Sequence, residues 1–378
     1  MKVMLFVYSM QCGGAERAAA TLANDWAALG WRVDLVTQTP VSHDFYSLHP
    51  RVRRTTLGLA HASKGPLAGI SANLRRLLAL RRLMAQRRPD IVLGIMTTAS
   101  VLAILAARGT GIRVIATEHT HPPQLPLTRS WRQLRRWALP MADSVVALTS
   151  DSKAWLETHC GCRHVWVIPP PFVWPIPRQE PVVWPEQTVA PDRRLLLSVG
   201  RLSAEKGFDE LIDAFAQAAP EHWDLAIVGE GAQRTALEAR IECLGLGGRV
   251  HLVGRVGNVA DWYARADLFA LSSRYEGLPM TLVEAMASGC PAVSYDCDTG
   301  PRDIIRHGYN GLLAGAPGNT TMLASALRSM MSSDSARKVM AARAPGVRVT
   351  FSSRRTTAMW QRLLTGQRDP ECISGRVR

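Results

Sequence analysis

Three short runs of the 378-residue sequence combine glycines with charged side chains, a combination that suits a phosphate-bearing ligand. They lie at residues 13–16 (GGAE), 200–207 (GRLSAEKG) and 273–289 (SRYEGLPMTLVEAMASG). Glycine lets the backbone approach a ligand closely, and Arg and Lys bind phosphate oxygens as a fork or as a point charge. The chemistry that these runs indicate is recognition of a phosphate or diphosphate group.

The run 273–289 places two acids around the start of a helix. Pro279 stands near the first helical position, where its missing N–H costs little. A helix N-terminus carries about half a positive charge and unpaired N–H groups, so it suits a diphosphate. Glu276 lies just before this helix and Glu284 one turn inside it, so the two acids could flank a bound ligand. The pattern alone is equally typical of an ordinary strand, loop and helix with surface acids.

The other two runs are weaker signals. Arg201 and Lys206 stand five residues apart after the apolar run LLLSV, where both could bind phosphate, but a solvated loop would look the same. Gly13 and Gly14 precede a helix after the first apolar run. This glycine pair lacks the GxGxxG spacing of a dinucleotide fingerprint, which argues against a nicotinamide site.

The elements that must position these runs alternate between strands and helices, which indicates parallel, doubly wound sheets. Ligands of such sheets bind at the carboxyl ends of the strands. In the first half we predict strands at 2–8, 32–37, 91–96, 112–117, 144–148 and 165–168. In the second half we predict strands at 195–199, 225–228, 250–253, 268–272 and 292–295.

Eight prolines between positions 169 and 191 separate the two series of strands. So dense a proline segment excludes regular structure and indicates a linker. We therefore expect an α/β protein with two Rossmann-like domains that face each other across a cleft. The predicted parts are a first domain (1–170), a linker (171–191), a second domain (192–350), a C-terminal helix packing back on the first domain (351–366) and a disordered tail (367–378).

Composition excludes several classes of protein. Seven cysteines are few and odd in number, which argues against a disulfide framework and for a cytosolic setting. The first residues show no cleavage-site pattern of a signal peptide. Residues 91–107 are largely apolar, but polar side chains interrupt them and a membrane span needs ~20 apolar residues. A buried strand at 91–96 followed by a helix at 99–107 explains this stretch better.

Charge is unevenly distributed along the chain. Residues 1–180 carry a net charge of +12, residues 181–327 a net charge of −6 and residues 328–378 a net charge of +8. Basic surfaces attract anionic lipids, nucleic acids or phosphorylated ligands. The sequence contains no signature of a nucleic-acid-binding fold, so we expect no nucleic-acid partner.

Two basic segments of the first half favour contact with an anionic membrane. Residues 129–137 (RSWRQLRRW) mix tryptophan with arginine, as membrane interfaces do. Residues 73–88 (NLRRLLALRRLMAQRR) form a helix whose apolar face either packs on the sheet or docks on anionic lipid. The apolar face of that helix is predicted to contain Leu74, Leu77, Leu78 and Met84.

Taken together, the motifs resemble those of the family 4 glycosyltransferases, which have the GT-B fold. GGAE stands near the start, GRLxxxKG opens the second half, VGEG follows at 228–231, and EGLPMTLVE supplies two glutamates separated by seven residues. The resemblance covers roughly residues 1–350, and the two longer motifs are highly specific in combination. It implies transfer of a sugar from a nucleotide-diphosphate donor with retention of configuration and without a protein nucleophile.

The resemblance also implies a role for each matched position. Arg201 and Lys206 would bind the donor diphosphate and offset its charge as it departs. Glu276 would face the donor sugar, and Glu284 would hydrogen-bond the ribose hydroxyls. The remaining substrate contacts that it implies are Gly13, Gly14, Gly229, Gly231, Arg255, Val256, Gly277, Leu278, Met280 and Thr281.

Three further positions bear on the chemistry. His119 matches a histidine that lies beside the reacting sugar in many relatives, although His121 leaves this assignment open. Asp296-Cys297-Asp298 spells the metal-binding D-x-D of GT-A transferases, but in this fold context we expect it to be structural and expect no metal or other cofactor. The run 299–305 (TGPRDII) resembles the TGPREII of relatives that build surface polysaccharides and lipid-linked glycans, with Asp303 replacing the usual Glu.

We therefore expect a cytoplasmic glycosyltransferase, peripheral at the inner face of the cell membrane. It would transfer a sugar from a nucleotide-sugar donor, a UDP-sugar by preference, to a lipid-linked or glycan acceptor. The alternatives are another GT-B enzyme, such as a nucleotide-sugar epimerase, and a non-catalytic basic binding protein. The combination of GRLxxxKG with E-x7-E disfavours the first, and the intact charged positions disfavour the second.

Overall fold

The computed structural model describes residues 1–11, 13–60, 65–218 and 221–366. Its internal contacts divide the chain into two compact units. Unit 1 contains Met1–Pro171 and the C-terminal segment that starts at Arg354, and unit 2 contains Phe172–Ser353. Each unit is built around one all-parallel sheet, which confirms the α/β, Rossmann-like prediction.

Unit 1 contains a seven-stranded sheet with the order β3-β2-β1-β4-β5-β6-β7. Its central strands are buried on both faces, as parallel strands covered by helices must be. Its strands are β1 (Lys2–Val7), β2 (Arg32–Thr37), β3 (Val52–Thr56), β4 (Ile91–Ile95), β5 (Arg113–Glu118), β6 (Ser144–Ala147) and β7 (Val165–Val167). Its first helices are α1 (Gly14–Ala28), α2 (Pro66–Arg87), α3 (Thr97–Ala107), α4 (Arg129–Ala138) and α5 (Ser150–Cys160).

Unit 2 contains a six-stranded sheet with the order β10-β9-β8-β11-β12-β13. Its strands are β8 (Arg194–Val199), β9 (Trp223–Val228), β10 (Val250–Gly254), β11 (Leu268–Leu271), β12 (Ala292–Ser294) and β13 (Gly311–Leu313). Its helices are α6 (Phe208–Ala218), α7 (Arg234–Cys243), α8 (Val259–Arg265), α9 (Met280–Ala287), α10 (Pro301–Ile304), α11 (Thr320–Ser332), α12 (Asp334–Arg343) and α13 (Val347–Thr350).

Both sheets reverse their strand order at an equivalent place. In unit 1 the reversal lies between β1 and β4, and in unit 2 it lies between β8 and β11. At such a switch point the loops leaving two neighbouring strands diverge to opposite sides of the sheet and open a crevice for ligands. The loops that follow these four strands are therefore the places to look for a site.

The last helix among the described residues is α14 (Ser353–Leu364), which packs in unit 1. Its Trp360 is buried against Trp26 of α1, with ring centroids 5.9 Å apart. Arg113 donates a hydrogen bond of 2.9 Å from its Nη1 to the carbonyl of Leu364. The predicted disordered tail at 367–378 lies outside the described residues.

The proline-rich segment that we predicted to be a linker packs on unit 2. The backbone N–H of Gly257 donates to the carbonyl of Pro181 at 2.6 Å, and the N–H of Gln179 donates back to the carbonyl of Gly257. The indole N–H of Trp262 donates to the carbonyl of Val183 at 2.8 Å. Three residues, Pro185–Gln187, even form a turn of 3-10 helix. The segment is thus irregular, as expected, but it is folded as part of unit 2.

Two strands were missed by the sequence prediction. β3 has the sequence VRRTT and β13 has only three residues, so neither shows the apolar run that marks the central strands. Both are edge strands, and side-chain contacts such as the ion pair between Arg54 and Asp44 compensate for their polar character. The apolar stretch 91–107 forms β4 and α3, as predicted. Within the described ranges, no helix is both long and apolar enough to span a bilayer.

Candidate functional site in unit 2

The switch point of unit 2 brings two predicted site residues into direct contact. Lys206 lies in the loop after β8, and Glu276 lies in the loop after β11. The Lys206 Nζ is 2.5 Å from the Glu276 Oε1, and the Ser273 hydroxyl donates to the same oxygen at 2.6 Å. The two side chains are mostly buried, at 23% and 10% exposure. A charged pair at this depth is held by its partners rather than dissolved in water.

The backbones of the two loops fit together closely. Gly207 has a φ of +61°, and a Cβ at this position would lie 2.2 Å from the carbonyl oxygen of Ser272. In return, the Ser272 hydroxyl donates to the carbonyl of Lys206 at 2.9 Å. Only glycine tolerates both the left-handed backbone and the close approach, so the last residue of GRLxxxKG is required by the packing of one loop on the other.

Glu284 is buried one turn inside α9 and is held by a residue that the sequence did not reveal. The hydroxyl of Tyr263, on α8, donates to the Glu284 Oε2 at 2.9 Å. Both side chains are almost completely buried, at 1% and 2% exposure. Tyr263 therefore orients the acid that we expect to bind the ribose.

The start of α9 carries the other predicted contacts of this run. No side chain caps the N-terminus of this helix, which begins immediately after Pro279. Gly277 and Leu278 are buried before it, and Met280 and Thr281 are half-buried in its first turn. First-turn N–H groups without intrahelical partners suit an anionic ligand.

Gly229 and Gly231, predicted as substrate contacts, also have a packing role in the structure. A Cβ on Gly229, which has a φ of +144°, would lie 1.9 Å from the carbonyl oxygen of Gly200. A Cβ on Gly231 would lie 2.3 Å from the carbonyl oxygen of Leu202. Both glycines let the loop after β9 pack against the loop after β8. They shape the site by holding the backbone that carries Arg201, whose side chain is exposed.

The loop after β10, which carries the predicted substrate contacts Arg255 and Val256, has a mixed environment. Arg255 is exposed and Val256 is half-buried, so both side chains are accessible. Gly257 packs on the proline-rich segment, because a Cβ there would lie 1.9 Å from the carbonyl oxygen of Gln179. The segment once expected to be a linker therefore shapes one wall of this loop.

The TGPRDII run (residues 299–305) packs against the loop that carries Glu276. The Thr299 hydroxyl donates to the carbonyl of Glu276 at 2.7 Å. Gly300 has a φ of +99°, and a Cβ there would lie 2.8 Å from the carbonyl oxygen of Gly277. The shorter acid Asp303 accepts a hydrogen bond from the Gly300 N–H at 3.3 Å. In the D-x-D run, Asp296 is paired with Arg302, which agrees with a structural role.

The predicted residues of unit 1 lie in less charged surroundings. Gly13 caps α1 and exchanges hydrogen bonds with the hydroxyl of Tyr46, at 3.0 and 3.3 Å. Gly14 is exposed as the first residue of α1, and no atom lies within 4 Å of a Cβ built on it. Packing therefore does not require glycine at position 14, and its contact with the substrate stays a prediction.

His119 follows β5 and is electrically neutral at physiological pH. Desolvation lowers the pKa of His119 to about 4, and its Nε2 lies 3.1 Å from the Thr117 hydroxyl. His121 is buried with its Nδ1 3.0 Å from the hydroxyl of Ser152. The preceding residue, Glu118, is fully buried and accepts hydrogen bonds from Thr97 at 2.8 Å. Burial raises the pKa of Glu118 to about 7.

Two parallel sheets with charged, glycine-rich loops at a switch point define an α/β enzyme fold for phosphate-bearing ligands. Comparison with known families identifies the family to which this chain belongs. The model described as Glycosyltransferase Family 4 matches residues 12–172, and the model described as Glycosyl transferases group 1 matches residues 184–347. The chain therefore belongs to the family 4 glycosyltransferases and is a glycosyltransferase enzyme.

Similar proteins from bacteria agree with this assignment. An exopolysaccharide phosphotransferase of Streptomyces coelicolor is 32% identical over 72% of this chain. The matched part covers only 28% of the length of that phosphotransferase. A Campylobacter jejuni alpha-1,4-N-acetyl-D-galactosaminyltransferase, named for a PP-undecaprenol-linked substrate, is 27% identical over 89% of this chain and 91% of its own. The amylovoran biosynthesis glycosyltransferase AmsD of Erwinia amylovora is 28% identical over 78% of this chain and 80% of its own.

Solved structures share the fold. Sucrose-phosphate synthase of Thermosynechococcus elongatus superposes with a TM-score of 0.84 at 20% identity, covering 97% of this chain and 98% of the other. Anabaena HepE in complex with UDP-glucose superposes with a TM-score of 0.78 at 21% identity, covering 97% and 100%. These similarities confirm the GT-B fold. The family assignment removes the support for an epimerase or a non-catalytic binding protein.

Proposed function

We propose that this enzyme transfers a sugar from a UDP-sugar to a lipid-linked or glycan acceptor, with retention of configuration, in the synthesis of surface polysaccharides or glycans. The contact between Lys206 and Glu276 at the switch point of unit 2 carries this proposal. It sets a cation and an acid side by side where a donor's diphosphate and sugar would meet. No metal or other cofactor is needed, because protein cations balance the diphosphate.

The roles of the charged groups follow from the charge of the donor. Lys206 and Arg201 would offset the negative charge that grows on the departing diphosphate, together with the N-terminus of α9. Glu276 would hydrogen-bond the hydroxyls of the donor sugar. Glu284, oriented by Tyr263, would accept hydrogen bonds from the ribose.

The reaction itself is a front-face displacement. The bond between the anomeric carbon and the diphosphate oxygen breaks while the acceptor oxygen bonds to the same face of the sugar. The acceptor proton passes to the departing phosphate oxygen, so no protein nucleophile is required. Catalysis then comes from positioning and from electrostatic stabilisation of the leaving group. Neutral His119 would hydrogen-bond the reacting sugar without adding a charge.

The choice of donor and acceptor rests on similar proteins. HepE has been solved with UDP-glucose, and the Campylobacter transferase is named for an acceptor linked to undecaprenol through a diphosphate. Both similarities extend over nine-tenths or more of the other protein's length. They favour a UDP-sugar and a membrane-borne acceptor for this chain as well.

A membrane-borne acceptor calls for a surface that meets the bilayer, and α2 of unit 1 offers one. Ile70, Leu74 and Leu78 are 67%, 54% and 43% exposed and recur every four residues, so they form one stripe. The exposed Arg75 and Arg82 flank it. Apolar side chains between arginines suit an anionic bilayer, and we propose that the enzyme is cytoplasmic and peripheral there.

The predicted apolar face of this helix needs one correction. Met84 is completely buried and Leu77 is partly buried against the core, so these two residues hold the helix on the sheet. Leu74 and Leu78 belong to the separate exposed stripe. The second basic segment, α4, adds Trp137 at 54% exposure.

Vesicle binding tests the membrane proposal. The wild-type protein is expected to float with vesicles that contain anionic phospholipid and to remain behind with neutral ones. The double variant Leu74→Gln/Leu78→Gln should lose this binding. Leu244→Gln, which changes a leucine of unit 2 that is 41% exposed, should keep it. Equal binding to both kinds of vesicle would contradict the proposal.

The donor and the reaction are tested in two steps. In a thermal-shift panel, UDP is expected to raise the unfolding temperature, as any ligand of the folded state does. Incubation with membrane lipid extract and labelled nucleotide sugars should then yield a labelled lipid or glycan. A response to oligonucleotides alone would refute the proposal.

A further inference from the structure

Arg274 lies two residues before Glu276 and contacts two other parts of unit 2, the start of α6 and the turn Ala204–Lys206. Its Nη2 is 2.7 Å from the Asp209 Oδ2 and 2.8 Å from the Glu210 Oε1, at the start of α6. Its Nη1 donates to the carbonyl of Ala204. Its backbone N–H donates to the carbonyl of Glu205 at 2.8 Å.

These contacts converge on the turn that presents Lys206. Residues Ala204–Lys206 form one turn of 3-10 helix, in which the Gly207 N–H donates to the carbonyl of Ala204 at 3.3 Å. Arg274 adds two donors from outside the turn, its side chain to the carbonyl of Ala204 and its backbone N–H to that of Glu205. The loop that carries Glu276 therefore also holds the turn that carries Lys206.

The carboxylates keep the guanidinium in place. Burial, the largest single influence, raises the pKa of Asp209, but the hydrogen bond and the charge of Arg274, together with backbone hydrogen bonds, hold the pKa below its usual range. The Arg274 side chain is 34% exposed, so its ion pairs are partly shielded from water. Because these carboxylates and the Ala204 carbonyl engage the guanidinium, it is directed away from a ligand and towards the fold.

We propose that Arg274 is a positioning residue of the donor site, which sets the Lys206 ammonium against Glu276 and so against the donor diphosphate. This inference rests on the proposed function. It distinguishes Arg274 from Arg201 and Lys206, because Arg274 acts through Lys206 and not on the diphosphate itself. Lysine cannot replace it fully, since one ammonium cannot span two carboxylates and a carbonyl as a planar guanidinium does.

A double-mutant cycle tests whether Arg274 acts through Lys206. Calorimetric titration with UDP compares the wild type, Arg274→Gln, Lys206→Ala and the double variant. Arg274→Gln is expected to weaken UDP binding about tenfold, the size of one charge-assisted hydrogen bond. In the Lys206→Ala background the same change should weaken it by less than about twofold. Equal losses in both backgrounds would overturn the proposal.

Uridine separates positioning from a general loss of structure. Because uridine lacks the diphosphate, its affinity should be the same for the wild type and Arg274→Gln. A parallel loss of uridine and UDP binding would mean that the substitution damages the fold of the site, which contradicts a role through Lys206. If Arg274→Gln does not fold, Arg274→Lys takes its place in the same cycle. Arg274→Lys is expected to weaken UDP binding by less than Arg274→Gln would, and unchanged UDP binding in Arg274→Lys would overturn the proposal.

A matched control lies at the amino end of β8, away from the loops that follow the carboxyl ends of the strands. Arg194, the first residue of β8, also joins two carboxylates, Asp267 at 3.2 Å and Asp334 at 2.8 Å. Arg194→Gln should leave UDP affinity unchanged. A wild-type protein that binds neither UDP nor GDP would refute the proposed function. A wild type that binds UDP, with Arg274→Gln binding it equally well, would refute this inference alone.

Discussion

The two units share one strand order, yet the loops at their switch points differ sharply in charge. In unit 2 the loops after β8 and β11 bring Lys206 against Glu276, with Arg274 joining the same loops. In unit 1 the loop after β1 leads to Gly13 and Gly14, and His119, whose pKa desolvation lowers to about 4, follows β5, one strand beyond the switch point. One topology therefore supports an ion pair at the switch point of unit 2 and a pair of glycines at that of unit 1.

This difference separates what the fold determines from what the side chains determine. Strand order fixes where a ligand can approach, because loops diverge only where the order reverses. The side chains on those loops then select the charge of the ligand. The charged loops of unit 2 are therefore where we propose that the donor diphosphate binds.

The largest effect should come from removing the cation of unit 2. Lys206→Ala is expected to lower the rate of transfer by about 10²–10³, because a preorganised charge no longer offsets the leaving diphosphate. The unfolding temperature should also fall, because the mostly buried Glu276 carboxylate loses its cation and keeps the hydrogen bond from Ser273. Steady-state kinetics with a labelled nucleotide sugar measures this loss. Near-normal turnover would show that unit 2 does not depend on its charged loops.

Glycine-to-alanine substitutions in the two units should differ in their effect on the free energy of unfolding. Gly229→Ala places a methyl group 1.9 Å from the Gly200 carbonyl oxygen at a φ of +144°, and should destabilise the protein by about 3 kcal/mol. Gly14→Ala meets no atom within 4 Å and should leave stability unchanged. Thermal unfolding of both variants provides the measurement. Equal destabilisation would mean that both glycine loops are constrained by packing alone.

The buried acid of unit 1 should give a pH-dependent effect. Because the pKa of Glu118 is raised to about 7, the folded state holds its proton more tightly than the unfolded state. Glu118 therefore costs increasing stability as pH rises from about 4.5 to 7. Glu118→Gln cannot ionise, so its stability relative to the wild type should increase by about 2 kcal/mol between pH 5 and pH 8. A difference that does not vary with pH would show that Glu118 ionises normally.

A smaller effect is expected for the hydroxyl that orients Glu284. Tyr263→Phe removes one hydrogen bond to a buried carboxylate and should weaken UDP binding by about fivefold to tenfold. The wild type should also bind UDP more tightly than its 2′-deoxy analogue. Tyr263→Phe should reduce the ratio of these two affinities. An unchanged ratio between the two nucleotides would remove Glu284 from the ribose site.

The sequence predicted the central strands well, because each is a continuous apolar run buried on both faces. It also predicted that Lys206 and Glu276 belong to one site, since both follow strands of the same parallel sheet. It did not predict Tyr263 or Arg274. Their partners are 21 and 65–70 residues away along the chain. Tyr263 lies outside the motifs that marked the site, and Arg274 lies within the run 273–289, whose pattern assigns it no role.

Local patterns also concealed the packing roles of several residues. Gly229 appeared as a ligand contact, and only the structure shows its approach to Gly200. The proline-rich segment appeared as a linker because prolines exclude helices and strands, but hydrogen bonds to Gly257 and Trp262 fold it onto unit 2. Such long-range backbone contacts leave no periodic signal in a sequence.

Hydrogen exchange in the presence of UDP tests the central claim, that the charged loops of unit 2 bind the donor nucleotide. UDP should slow amide exchange at residues 200–207, 229–231 and 273–284. It should leave the loops of unit 1 at residues 13–16 and 118–121 unchanged. Slowed exchange confined to the loops of unit 1, or no change in either unit at saturating UDP, would contradict the account.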